Sequence, residues 1–234
     1  GLGNVIVGDE YDTTDRKTTA GISHYSALYD QSKYFDNALT RYYQKKGWNL
    51  YHYSMLRSMS ELLIMKVLLK RYPDLQKHQT SCHAAHEKEK RMYPCGNCEK
   101  CRRIIGMITA LGESPENCGY ESSQISKALK QLGNTRVKQI GSDAAHLYDL
   151  LLKKGHIESN PFTKKLAKEY PTVMQLRFDN ERSTLEDMPA HVREALFSIL
   201  AGYSNGAVIR QDHKWKELKL TNAFLNSKSY KYDV

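Results

Sequence analysis

The chain has 234 residues, 40% of them apolar, with 16 tyrosines and a formal net charge of +9. That apolar content supports a folded core, while no apolar run approaches the roughly 18 residues of a helical membrane span, so a cytoplasmic location is expected. The positive excess would suit a polyanionic partner, but it is spread almost evenly over both halves and forms no tail or stripe.

Val5-Ile6-Val7, set between Gly3 and Gly8, reads as a fully buried strand of a parallel sheet. It runs into the polar cluster Gly8-Asp9-Glu10-Tyr11-Asp12, and ligands gather at the carboxyl ends of strands in open α/β sheets. A chain that opens directly on a buried strand reads as beginning inside a domain. Gly1-x-Gly3 precedes the strand, whereas phosphate-binding glycines follow one. Next, Tyr34, Phe35, Ala38, Leu39, Tyr42 and Tyr43 recur at helical spacing and predict an amphipathic helix over 32–46, stopped by Gly47. Leu50-Tyr51-His52-Tyr53 predicts a strand. A helix over about 60–71 follows, capped by Ser58 or Ser60, with Leu62, Leu63, Met65, Val67 and Leu68 buried and Pro73 beyond its end.

Four cysteines then fall in one window, Cys82, Cys95, Cys98 and Cys101, spaced C-x12-C-x2-C-x2-C. Tetrahedral Zn²⁺ takes four thiolates at about 2.3 Å, and a short-spaced run with a glycine supplies that geometry. With all four positions filled by protein, such a site is structural and leaves no place for a water nucleophile. An iron–sulfur cluster also uses four cysteines, and His83 or His86 could replace one thiolate. A disulfide framework would strand the fifth cysteine, Cys118, which reads as a small buried thiol. A helix is expected from Arg102 to Leu111.

Gly112, Pro115 and Gly119 read as a linker, dividing the chain into 1–115 and 116–234. Beyond it, helices are expected from Ser122 and over Ala144 to Lys154. With Lys127, Lys130, Arg136 and Lys138 they fit either a plain helical hairpin or a DNA-reading helix-turn-helix. Pro161 opens a short helix, and Pro189 starts one to Ala201 with Val192, Leu196, Ile199 and Leu200 on one face. Residues 206–210 and 213–215 predict a small hairpin with Trp215 as a core anchor. The tail from Asn222 to Val234 reads as an extended or packed end. The fold class is therefore α/β with a zinc knuckle, followed by a mainly helical region.

Four ordered segments carry a family resemblance: the strand with Gly8-Asp9-Glu10-Tyr11; Asp30-Gln31-Ser32-Lys33-Tyr34-Phe35; Leu56-Arg57-Ser58-Met59-Ser60-Glu61-Leu62; and Cys82 with Cys95-Gly96-Asn97-Cys98-Glu99-Lys100-Cys101-Arg102. Together they resemble the second half of a PP-loop ATP pyrophosphatase. The nearest branches are 7-cyano-7-deazaguanine synthase (QueC-like) and a related group of UDP-N-acetylmuramoyl-peptide epimerases. The resemblance covers about residues 1–115. It implies a partial Rossmann-like sheet of the adenine nucleotide alpha hydrolase type, with structural zinc on the four cysteines. The implied chemistry is adenylation of a carboxylate or purine-like acid by ATP with Mg²⁺, releasing pyrophosphate, as in a ligase or synthase. It also implies that Asp9, Glu10, Tyr11, Asp30, Gln31, Ser32, Lys33, Arg57 and Ser60 line the substrate or nucleotide pocket, with Arg57 meeting a phosphate or carboxylate. The family's phosphate loop, Ser-Gly-Gly-x-Asp-Ser, is absent from the 234 residues, so an N-terminal segment, in cis or as a separate chain, is the expected partner. The alternative is a zinc-stabilised basic module that binds nucleic acid without catalysis.

Overall fold

The computed structural model describes residues 3–25, 28–138 and 142–232. The chain is mixed α/β and divides into two units, Gly1–Leu63 with Thr172–Val234, and Ile64–Pro171. The division expected at residue 115 falls inside the second unit, because the helices on either side of it pack together there.

In the first unit, β1 (Asn4–Val7) lies parallel to β4 (Tyr51–Ser54) in the register Val5↔His52 and Ile6↔Tyr53. The expected burial of β1 is not found: Ile6 is 53% exposed, because β4 is its sole strand partner among the described residues. Between these strands, β2 (Arg16–Thr19) and β3 (Ile22–Tyr25) form an exposed hairpin that no apolar alternation had signalled. The first long helix, α1 (Lys33–Lys45), falls within the expected 32–46 and starts where Ser32 accepts the Phe35 N–H. Its inward face is reversed from the apolar reading. Lys33, Asp36, Asn37 and Thr40 are buried, whereas Tyr34 and Tyr42 are exposed. Polar bonds explain the reversal: the Thr40 hydroxyl accepts the His52 backbone N–H at 2.9 Å and donates to its carbonyl at 3.1 Å, while Lys33 and Asp36 find buried partners.

The second stretch of this unit adds β7 (Leu176–Phe178), β8 (Ala207–Gln211) and β9 (Lys214–Leu218), with β7 parallel and β9 antiparallel to β8. The β8–β9 hairpin follows the sequence reading, but β7 corrects the mainly helical expectation. Between β7 and β8 runs α7 (Ala190–Ala201), whose buried stripe is Arg193, Phe197 and Leu200, with Val192, Leu196 and Ile199 half-buried beside it. Arg193 takes a core position because its guanidinium donates to the carbonyls of Met188, Leu225 and Lys228. After the short α8 (Asn222–Leu225), Tyr230 is buried against Tyr51 and the Tyr232 hydroxyl donates to the Asn37 carbonyl at 3.0 Å. The tail is a packed end.

Helix α2 (Glu61–Arg71) begins in the first unit and continues in the second, with Leu62, Leu63, Met65, Val67 and Leu69 buried. The second unit then holds a hairpin of β5 (His86–Lys88) and β6 (Arg91–Tyr93). The helices α3 (Glu99–Ala110), α4 (Ser122–Leu132), α5 (Asp143–Lys153) and α6 (Pro161–Leu166) follow. Buried Ile104, Ile105, Met107 and Ile108 give α3 its core face. At Gly106 a Cβ would meet Leu132 at 2.9 Å and Leu151 at 3.7 Å, so glycine there lets α4 and α5 close on α3. Residues 139–141, between α4 and α5, lie outside the described residues. Lys127, Lys130, Arg136 and Lys138 are exposed ahead of them.

A candidate four-cysteine metal centre and a buried arginine cluster

The metal candidates are brought together by one knuckle. Residues leave β6 through Pro94 to Cys95, and Gly96, at φ +71°, turns the chain back. A side chain at Gly96 would also strike Gln124, 2.2 Å from an ideal Cβ. Cys98 then caps α3, its Sγ accepting the Cys101 N–H at 3.4 Å. Cys98 and Cys101 thus sit at a helix N-terminus, where backbone N–H groups favour thiolates. Cys82 arrives from the other side of the β5–β6 hairpin.

Cys95 Sγ lies 3.8 Å from Cys101 Sγ, and Cys98 Sγ lies 3.6 Å from Cys82 Sγ and 3.5 Å from Cys101 Sγ. All four sulfurs are within 4.8 Å of one another. A tetrahedral ion with metal–sulfur bonds of about 2.3 Å requires sulfur–sulfur edges of about 3.8 Å. The set therefore fits a metal ion such as zinc. Outer contacts support it: burial raises the Cys101 thiol, while the Gly96 N–H and the Tyr120 hydroxyl, donating to its sulfur, act the other way. Burial also acts to raise Cys95, but the Asn97 N–H, the Cys82 thiol and the Cys98 N–H outweigh it and bring the group down to about 6. Such second contacts orient ligands and hold them ready for a cation. His83 and His86 stand outside the group; His86 stacks on Tyr93 instead. Cys118 is buried and apart, its thiol pushed up to about 11 by burial, with Arg91 acting to lower it.

The other predicted residues lie in the first unit, where several converge on Arg57. Its guanidinium meets Asp36 at 2.6 Å, Thr13 at 2.7 Å, the Gln31 carbonyl at 2.8 Å, the Glu10 carbonyl at 3.3 Å and Asp9 at 3.6 Å. Asp36 also lies 3.0 Å from His52 Nδ1. Arg57 thus directs its donors inward, as a hub for the loops after β1 and before α1. Burial pushes Asp9 up to about 6; Arg57 acts to lower it, while Asp36 and Asp30 add to the rise. Burial likewise raises Asp36, against the pull of Arg57 and His52.

Lys33 turns away from this hub, pairing with Asp187 at 3.3 Å and donating to the Asn180 carbonyl at 3.1 Å. Burial acts to raise Asp187, but Lys33 and Lys231 outweigh it and lower the group. A cavity of about 20 Å³, room for one water, lies among Lys33, Asp36, Arg57, Ser58 and Asp187. Tyr11 is buried, donates to Asp179 and lies under Arg177, whose guanidinium carbon is 4.0 Å from the ring centre. Ser32 and Ser60 serve as helix caps, with the Ser60 hydroxyl also donating to the Val173 carbonyl at 2.6 Å. Asp30 is exposed. Asp12, Asp36, His52, Asp179 and Asp187 complete these networks without having been singled out in the sequence. The one local signal was Asp12, which closes the polar run after β1.

Comparison of the chain with protein-family models, with curated proteins and with solved structures finds no match. Among the described residues no helix is long and apolar enough to cross a membrane.

Proposed function

We propose that this chain is the zinc-containing portion of a PP-loop ATP pyrophosphatase of the QueC-like kind, with Zn²⁺ on Cys82, Cys95, Cys98 and Cys101. The observation that carries the reading is the strand-end cluster. β1 and β4 are parallel, and the residues after their carboxyl ends, Asp9-Glu10 and Arg57-Ser58, meet beside the start of α1. Open α/β sheets hold their ligands at that position. Zinc, when bound, supplies structure alone, since four thiolates fill its tetrahedron. In the reaction a carboxylate oxygen would attack the α-phosphorus of ATP and the α–β phosphoanhydride would break, giving the acyl-adenylate and pyrophosphate; Mg²⁺ would supply neutralisation of the phosphate charge.

Arg57 acts here as a positioning residue, holding Asp9, the Glu10 carbonyl and the Gln31 carbonyl together at the strand ends. The phosphate-gripping loop comes from a further α/β segment. Two features suit its docking: β1 has an unpaired edge among the described residues, and α1 turns Tyr34 and Tyr42 outward. Parallel strands are ordinarily covered on both sides.

ATP–pyrophosphate exchange tests this. The 234 residues alone show none, because in-line positioning and neutralisation of the phosphates are missing; joining a segment with the phosphate loop restores exchange. In the restored enzyme Arg57→Ala costs more activity than Lys33→Ala, since Lys33 is engaged with Asp187 rather than with the hub. Exchange by the isolated chain would sink the proposal.

A further inference from the structure

The β5–β6 hairpin breaks two rules of hairpin chemistry at once. Its turn places Glu89 at φ +52° and Lys90 at φ +61°, a left-handed pair that usually takes Asn-Gly and that costs bulky residues on the order of 1 kcal/mol each. The register also sets Lys88 directly opposite Arg91, and like charges so placed repel. Asp212 and His213 close β8–β9 with the same left-handed pair, at φ +50° and +61°, so it is the facing cations that set the β5–β6 hairpin apart. Here they gather positive charge: among the described residues none of Lys77, Lys88, Lys90 and Arg91 forms an ion pair.

Three of these cations, Lys77, Lys90 and Arg91, line a groove of about 740 Å³ in the second unit, together with His78, Thr80 and Met92 among others and with no carboxylate in its wall. Arg91 Nε donates to the Lys77 carbonyl at 3.2 Å, which fixes the hairpin against the opposite wall. Aromatic surface adjoins the charge. His86 stacks on Tyr93 with their planes 26° apart, and Arg91 lies 4.8 Å from the Tyr93 ring centre. The groove is too wide for one phosphate; its wall carries Lys77, His78, Lys90 and Arg91, and the exposed His86 ring stands on the adjoining hairpin, so charge beside a flat ring suits an extended sugar–phosphate chain.

We propose that this groove binds single-stranded nucleic acid through its phosphodiester backbone. The test is fluorescence anisotropy of a labelled 20-nucleotide oligouridine with the full metal-loaded chain. With three phosphate contacts, from Lys77, Lys90 and Arg91, the logarithmic salt slope is about −2, so binding weakens roughly 20-fold between 50 and 200 mM salt. Lys77→Glu with Lys90→Glu lowers affinity at least about tenfold and flattens that slope. Lys214→Glu with Lys219→Glu, which changes net charge equally at exposed positions in the first unit, leaves affinity within about twofold. Lys90→Ala alone, at an exposed turn residue, gives a loss of about threefold and guards against misfolding of the double variant. Equal losses in both double variants, no binding at 50 mM salt, tighter binding of duplex RNA, or equal and variant-sensitive binding of anionic lipid vesicles would each overturn the assignment.

Discussion

Asp9 carries its carboxyl group into a half-buried place beside Arg57, and burial lifts its pKa to about 6. The unfolded value is about 3.9, so between these two limits the folded chain binds more protons than the unfolded one. Stability linked to Asp9 is therefore complete below about pH 4 and is lost as pH rises through about 6. Asp9→Asn removes that loss. Its thermal midpoint, relative to the unchanged protein, should rise more at pH 7 than at pH 4.5, and an equal difference at both pH values would refute the shift. At this scale the metal ligands were legible, because a tetrahedral ion demands close-spaced thiols. Asp36, Asp179 and Asp187 were not, because their partners Arg57, Tyr11 and Lys33 lie far along the chain and leave no local pattern.

The knuckle between β6 and α3 depends on Gly96 for two separable reasons, its φ of +71° and the Gln124 side chain that fills the space a Cβ would need. Gly96→Ala should lower stability by about 1–3 kcal/mol in urea titration. Adding Gln124→Ala should recover the steric part and leave the conformational part. If the double variant recovers nothing, the contact with Gln124 is irrelevant. Helix α1 shows where periodicity misleads: its apolar spacing correctly located a helix, while tertiary hydrogen bonds to β4 decided which face turned inward. A single chain's pattern records that a face is apolar without recording what covers it. The β2–β3 hairpin and β7 escaped for a simpler reason, since strands of three or four residues are too short to establish a period.

Over the whole molecule, the candidate metal centre belongs to one unit. Its four ligands lie within Ile64–Pro171, and a structural zinc contributes on the order of 10 kcal/mol to small sites at neutral pH. Elemental analysis should find one zinc per chain, lost in Cys98→Ser. Stripping the metal should abolish amide-exchange protection in α3 and α4 while β7 and β8 keep theirs. Stoichiometric iron, or full zinc in Cys98→Ser, would overturn the zinc assignment, and equal loss of protection everywhere would overturn its confinement to that unit. The predicted boundary at residue 115 was misplaced because a glycine- and proline-rich stretch marks a turn equally well inside a unit. Pro115, Cys118 and Tyr120 are in fact buried.

The first unit is assembled from two stretches separated by more than a hundred residues of the second. On the ribosome, β1, α1 and β4 emerge long before β7, β8 and the Tyr230 tail that complete their packing. At about 5–20 residues per second that interval lasts roughly 6–35 s. The intervening unit, whose residues are contiguous, can meanwhile fold around its four-cysteine group. Metal supply during synthesis would thus set whether β7, β8 and the tail emerge after a folded intervening unit or an unfolded one.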